Sequence, residues 1–237
     1  MKIITLNIWG GIVGDVLLDF FKGNQDVDVF CLQEVMHNGT EWAAWDERQN
    51  RNVLEQIRLV LPGYVDYFRP AEHKGEWGLA IFVKREILVE SEGEVFVHLH
   101  KDSMKDKEPL TVGKNLQWIK LGDQNLTICN FHGLWNGKGK TDTEDRINQS
   151  KKMVEMIKKL DTEVILCGDF NLLPETESLK IVEKELDFRN LISEFNITST
   201  RTSYYTKETK FADYVLVSKG VVVKDFKVLP DEVSDHS

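Results

Sequence analysis

Cysteine is scarce in these 237 residues, with Cys31, Cys129 and Cys167 making up the whole complement. The number is odd and each lies inside an apolar, strand-like run. That pattern builds neither a disulfide framework nor a zinc knuckle, and it is expected of small buried hydrophobes in a reducing compartment. Long apolar runs are also lacking, so no transmembrane segment is expected. The opening Met1-Lys2-Ile3-Ile4-Thr5-Leu6 is too short for the core of a secretory leader. No repeat, low-complexity tract or linker divides the chain. An excess of positive charge is missing too: 30 basic against 39 acidic side chains leave −9. Such a balance argues against a protein built mainly to hold nucleic acid nonspecifically. What remains is a soluble, cytoplasmic monomer with no obligate protein partner, 41% apolar, read as one domain over 1–237.

Periodicity supplies the elements. Strands are expected at 2–6, 28–32, 64–68, 79–84, 87–90, 95–98, 116–121, 126–131, 164–168, 211–217 and 221–228. Helices are expected at 15–21, at 46–61 ahead of Pro62-Gly63, after the capping-box pattern Thr141-x-x-Glu144, and through Leu179, Ile181, Val182 and Leu186. The lysine-rich stretch 99–115 has no period and reads as a surface loop. Short strands mixed with a few amphipathic helices predict an α/β (α+β) fold with two sheets packed together and helices outside.

The organising stretch is Val164-Ile165-Leu166-Cys167-Gly168-Asp169-Phe170-Asn171. An apolar strand ends at a glycine, and residues two apart on an extended chain share a side, so Asp169 and Asn171 face one site. Four other strand ends or segments offer matching groups: Asn7, Glu34, His132 and the Asp235-His236 pair. Carboxylate and amide oxygens without thiolates select a hard cation, Mg²⁺ with Mn²⁺ as substitute. Glu34, supported by Asn7 and Asp235, is expected to hold it. Asp169 is expected to take a proton from the attacking water, with His236 as the competing candidate, while Asn171 orients water or phosphate. His132 and His236 are expected to meet the phosphate as imidazolium ions. Asp213 is the expected carboxylate behind His236, and Glu76 the one behind His132.

Tryptophans 9, 77 and 135 lie near these groups and read either as core or as an aromatic rim. The loop Asn136-Gly137-Lys138-Gly139-Lys140, before the helix holding Arg146, and Lys207 with Lys210 are candidate phosphate contacts.

Six motifs in order, Leu6-Asn7-Ile8-Trp9, Leu32-Gln33-Glu34-Val35, Asn130-Phe131-His132-Gly133, Gly168-Asp169-Phe170-Asn171, Ala212-Asp213-Tyr214-Val215 and Ser234-Asp235-His236, resemble the endonuclease/exonuclease/phosphatase superfamily of metal-dependent phosphohydrolases. The resemblance implies a four-layer sandwich, two mixed β-sheets face to face between outer helices, and metal-assisted attack of water on a phosphoester. Trp9 and His132 depart from the apurinic-endonuclease branch. They and Glu76-Trp77-Gly78-Leu79-Ala80 look more like the deoxyribonuclease and neutral-sphingomyelinase branches. Family members run on past Asp-His through a closing strand, so a domain lacking its last C-terminal strand is expected. The expected substrate is a small-molecule, lipid-headgroup or nucleic-acid phosphoester. A cytoplasmic metal-dependent nuclease and a non-catalytic binding module of the same fold are the alternatives.

Overall fold

The computed structural model describes residues 1–40, 46–103 and 112–237. Strands β1 (Ile3–Asn7), β2 (Val29–Met36), β3 (Tyr64–Pro70) and β4 (Trp77–Lys84) form a sheet in the order β1-β2-β4-β3. Only the β1–β2 pair in it is parallel. A second sheet has the order β5-β6-β7-β8-β10-β9. Its strands are β5 (Val89–His98), β6 (Lys114–Leu121), β7 (Leu126–His132), β8 (Glu163–Asp169), β9 (Arg189–Asn190) and β10 (Asp213–Val217). There β7 and β8 are the parallel pair.

Side-chain alternation decides the layers. Val29, Cys31, Ile81 and Val83 from one sheet meet Ile119, Leu121, Ile128 and Cys167 from the other in a shared apolar layer. The outer face of the first sheet packs on α1 (Asp15–Gly23) and α2 (Val53–Val60) through Leu17, Phe21, Leu54 and Ile57. The outer face of the second packs on α3 (Glu144–Ile157), α4 (Glu177–Leu186) and α5 (Leu191–Glu194) through Met153, Val154, Leu179, Val182 and Ile192. Helix, sheet, sheet, helix is the four-layer arrangement, with two mixed sheets at its centre. All three cysteines are buried and free.

A buried amide cluster ties the sheets together beneath the strand ends. Asn130 donates to Leu32 O at 3.0 Å and accepts from Gln33 Nε2 at 2.7 Å. It also lies 3.3 Å from Gln117 Oε1. Buried amides that satisfy one another fix relative register in a way that apolar contacts do not.

Several expected elements differ. The helix expected over 46–61 begins only at Val53. Ahead of it, Asp46 Oδ1 accepts from Arg48 N at 2.9 Å and Asn50 Oδ1 from Asn52 N at 3.1 Å, local turns that compete with helix. The two strands expected at 87–90 and 95–98 are one, β5, irregular near both ends. Helix α3 is capped by Thr143 rather than Thr141. The neighbouring Asp142 instead accepts from Glu177 N and Ser178 N at the start of α4, at 2.7 and 2.8 Å. Residues 221–228 are not a strand. They line a cavity of about 840 Å³ with residues of β1 and, among the described residues, pair with no strand. Of the expected loop 99–115, residues 104–111 lie outside the described residues, and Lys114 already belongs to β6.

Candidate active site

Strand register assembles the site. Parallel pairing of β1 with β2 sets Asn7 against Gln33 and so puts Glu34 beside it. Parallel pairing of β7 with β8 sets His132 against Asp169, and antiparallel pairing of β10 with β8 sets Asp213 against Asp169. Three of the site positions have left-handed backbone: Trp9 at φ 51°, Glu34 at 59° and Asn171 at 53°. Such conformations gather where surrounding structure forces a side chain to a particular aim. Glu34 lies where the β2–β4 register shifts between Leu32 and Val35, and a bulge of this kind re-aims a side chain out of the pleat. Gly168 has φ 135°, and a Cβ there would lie 2.0 Å from Phe131 O, so β8 can approach β7 closely only with glycine.

Asp169 is the hub. Its Oδ2 accepts from Asn7 Nδ2 at 3.0 Å and its Oδ1 from Asn171 N at 2.8 Å. His132 Nε2 and His236 Nε2 stand 3.7 and 3.6 Å from the same Oδ2. Behind His236, Nδ1 meets the Asp213 oxygens at 2.8 and 2.9 Å, and Asp213 is steadied by Thr200 Oγ1 at 2.9 Å. Asp235 binds Arg201 Nη1 through Oδ2 at 2.9 Å, while its Oδ1 is buried without a hydrogen-bond partner among the described residues. Ser234 Oγ donates to Asn7 O at 2.6 Å, which fastens the Ser234-Asp235-His236 segment to the end of β1.

Two of the sequence-based assignments need correction. Glu76 does not stand behind His132: its carboxylate accepts from Thr40 N at 3.0 Å and Thr40 Oγ1 at 2.9 Å, and His132 Nδ1 is buried without a hydrogen-bond partner among the described residues. Asn7 points its amide nitrogen at Glu34 Oε1 (3.1 Å) and Asp169, while its oxygen accepts from Trp9 N at 3.0 Å. An NH₂ group cannot ligate a cation, so in this arrangement Asn7 orients the carboxylates.

Electrostatics separates the two histidines. Burial, and then Lys114, push His132 down to about 3, so it is neutral near pH 7 and not the imidazolium expected from sequence. For His236 burial opposes charge, but Asp213 and Asp169 outweigh it and hold the ring above its ordinary 6.5. Burial also works against the Asp169 carboxylate, yet His236, His132, Lys140 and Arg201 hold it well below the usual range. Glu34 is raised, chiefly by burial and further by Asp235 and Asp169, against the Asn7 bond and His236.

His132 gives a stability prediction. Its folded value lies below its unfolded value of about 6.5, so the unfolded chain binds the extra proton as pH falls from 6.5 toward 3. The slope is up to about 1.4 kcal/mol per pH unit. Denaturant titrations in chelator are expected to show this loss in the wild type and a clearly shallower one in His132→Gln. Equal slopes would contradict burial of a neutral imidazole.

The cleft above these groups has a volume of about 400 Å³ and is lined by Trp9, Trp77 and Trp135 among others. Trp77 packs on His132 with centroids 5.4 Å apart, and Trp135 is 45% exposed. Lys114 and Arg201 also line the cleft and were missed in the sequence. Lys114 is 5% exposed, its Nζ stands 5.2 Å over the Trp77 ring, and burial lowers it to about 8. A lysine opening a strand and an arginine between threonines carry no spacing signal. Arg146, by contrast, is fully buried. Its guanidinium donates to Leu134 O (3.2 and 3.1 Å), to Gly139 O (2.8 Å) and to Thr141 O, clamping the glycine loop from behind.

Oxygen donors fit a hard divalent cation here. Glu34, Asp169 and Asp235 all line the cleft, Asp235 with an orphaned carboxylate oxygen and Glu34 with a carboxyl raised by burial, an imbalance a cation would relieve. Asp169, Asp213 and His236 also present donor atoms within 4.8 Å of one another. Both Asp213 oxygens there are engaged by His236 and Thr200, which makes that trio a hydrogen-bonded relay. Among the described residues, no helix is long and apolar enough to cross a membrane.

Comparison with known proteins agrees with this fold. A search of curated protein sequences finds no match. Among solved structures, an endonuclease/exonuclease/phosphatase from Bacteroides vulgatus superposes with TM-score 0.69 at 16% identity, over 99% of this chain and 94% of that one. The mannosyl-6-phosphatase of Bacteroides thetaiotaomicron gives 0.68 at 17%, over 99% and 96%. The human Nocturnin catalytic domain with bound sulfate gives 0.63 at 19%, over 98% and 89%. The sequence pattern described as the Endonuclease/Exonuclease/phosphatase family matches residues 4–236, and this chain belongs to that family.

Proposed function

We propose that this chain is a cytoplasmic, monomeric phosphoesterase, one domain over 1–237, that uses Mg²⁺, with Mn²⁺ able to replace it, to hydrolyse a phosphodiester or phosphomonoester. The observation that carries the reading is the convergence on Asp169 of two imidazoles and the Asn7 amide, contributed by both sheets.

Glu34 and Asp235 would hold the divalent ion, oriented by Asn7 and Arg201 respectively. When bound, such an ion supplies positive charge to the phosphate oxygens and the leaving oxygen. The chain's own groups do the rest. Asp169, with Oδ2 between the two imidazoles, accepts the proton of the attacking water, and Asn171 turns that water or the phosphate. Asp213 fixes His236 through Nδ1, leaving Nε2 to donate into the cleft. Lys114 supplies the positive charge on the wall where His132 is neutral. A cleft of about 400 Å³ with tryptophans at its walls suits a small phosphoester better than a duplex. A similar fold that is a mannosyl-6-phosphatase is consistent with that preference.

The test is hydrolysis of bis(p-nitrophenyl) phosphate and p-nitrophenyl phosphate in Mg²⁺, Mn²⁺ or chelator, beside single- and double-stranded DNA and RNA. Metal-dependent release from one reporter is expected, abolished by chelator. Cleavage of nucleic acid far faster than either reporter would favour a nuclease, and no turnover of anything with either metal would refute the phosphoesterase reading.

A further inference from the structure

Four cations line the cleft: Lys114, Lys140, Arg201 and Lys207. They meet different partners. Contacts run in sequence from Lys114 over Trp77 (5.2 Å), to His132 (5.4 Å between rings), to Asp169 (3.7 Å). Beyond Asp169 the order continues through His236 (3.6 Å), Asp235 (3.8 Å) and Arg201 (2.9 Å). It ends on Tyr205, whose ring lies 4.1 Å from the Arg201 guanidinium carbon and 5.3 Å from Lys140 Nζ. Lys114 and the Lys140–Arg201 pair are thus separated along this path by Asp169 and two imidazoles. Their charged surroundings differ accordingly. Lys114 interacts with Glu34 and Asp169, whereas Lys140 interacts with Asp169, Arg201, Asp213 and Asp235.

The far station has more positive charge than its own carboxylates balance. Lys140 is 7% exposed, and its ammonium donates to Phe211 O at 3.0 Å, with no carboxylate at ion-pair distance among the described residues. Arg201 has a side chain 4% exposed and, among the described residues, pairs with Asp235 alone and leaves Nε buried without a hydrogen-bond partner. Lys207 is exposed on the same cleft and likewise meets no carboxylate at ion-pair distance among the described residues. Among the described residues these three cations make one ion pair between them, and its carboxylate is the one assigned above to the metal. Uncompensated buried charge is costly, and an anion would relieve it. The station is also built in advance. The Arg146 clamp fixes the loop carrying Lys140, Lys140 O accepts from Leu173 N at 3.0 Å, and Arg201 forms a backbone bridge with His236.

We propose that Lys140 and Arg201, which face Tyr205, and Lys207 on the same cleft form a second anion subsite that takes a phosphate group other than the one being cleaved. The preferred substrates are then phosphoesters bearing a second phosphate. Guanidinium and ammonium donors at one place match a dianion's several oxygens. The inference deepens the phosphoesterase reading and rests on it for the scissile end.

The test is calorimetric binding in Mg²⁺ to Asp169→Ala protein, used as a turnover-deficient background. Two ligand pairs are compared, adenosine 3′,5′-bisphosphate with adenosine 5′-monophosphate and fructose 1,6-bisphosphate with fructose 6-phosphate, because they space two phosphates differently. At least one bisphosphate is expected to bind about tenfold more tightly than its partner. Adding Lys140→Met or Lys207→Glu is expected to remove most of that advantage while weakening the monophosphate far less. Lys207 is exposed, so its variant reads the subsite even if Lys140→Met fails to fold. Equal affinities within both pairs, or an advantage that survives both substitutions, would overturn the subsite. A variant-sensitive advantage in a protein that hydrolyses no reporter would keep the subsite and remove the phosphoesterase reading, and reporter turnover without any bisphosphate advantage would do the reverse.

Discussion

Asp169→Ala is expected to lower kcat for the reporter phosphoesters by about 10³-fold or more, with little change in secondary structure. The expectation follows from where the carboxylate stands. Asn7 and Asn171 hold its two oxygens at 3.0 and 2.8 Å, and both imidazoles face it. The alanine variant loses the proton acceptor and the charge that helps keep His236 protonated. It also relieves repulsion with Glu34, so the stability cost is partly offset. Asp169 carries its own pH signature. Its folded value is depressed, so its contribution to stability is present above about pH 3.8 and is lost as pH falls through the folded value. Asp169→Asn keeps the shape and tests the charge alone. A folded Asp169→Ala protein with undiminished turnover would remove Asp169 from the chemistry.

The second large effect is expected at Glu34. Its left-handed backbone and position at the β2 irregularity turn the carboxylate toward Asn7 and His132, the latter at 3.8 Å. Burial raises this carboxyl with no cationic side chain bonded to it. Glutamine keeps the size and the Asn7 contact but removes the charge. Glu34→Gln is therefore expected to weaken Mg²⁺ binding by about 10–100-fold, and turnover at low Mg²⁺ is expected to fall with it. High Mg²⁺ should restore part of the rate, an outcome that simple misfolding would not give.

Much of this site could be read along the chain because strands carry the functional groups. Apolar runs that give way to polar residues locate strand ends, and Asn7, Glu34, His132 and Asp169 all lie at or beside them. The Asp213–His236 pair was legible as an acid opening a strand and a histidine far from it in sequence. Glu76 was misread because an acid before a strand gives no hint that Thr40, on another loop, will take it up. Lys114 and Arg201 were invisible for the opposite reason: their significance lies in what surrounds them, a tryptophan face and a tyrosine face contributed by distant segments. The late start of α2 reflects side-chain turns at Asp46 and Asn50 that outcompete a good apolar period. Residues 221–228 are rich in valine yet join no ladder among the described residues, since pairing is decided by the neighbouring strand and not by the segment itself.

Calorimetric titration of Mn²⁺ or Mg²⁺ into wild-type and Glu34→Gln protein, at fixed pH and without substrate, addresses the site most directly. Saturable binding to the wild type that weakens at least about tenfold in the variant is the expected result. Superimposable isotherms would mean that the ion, if bound at all, is held elsewhere, with the Asp169, Asp213 and His236 trio the remaining donor group among the described residues.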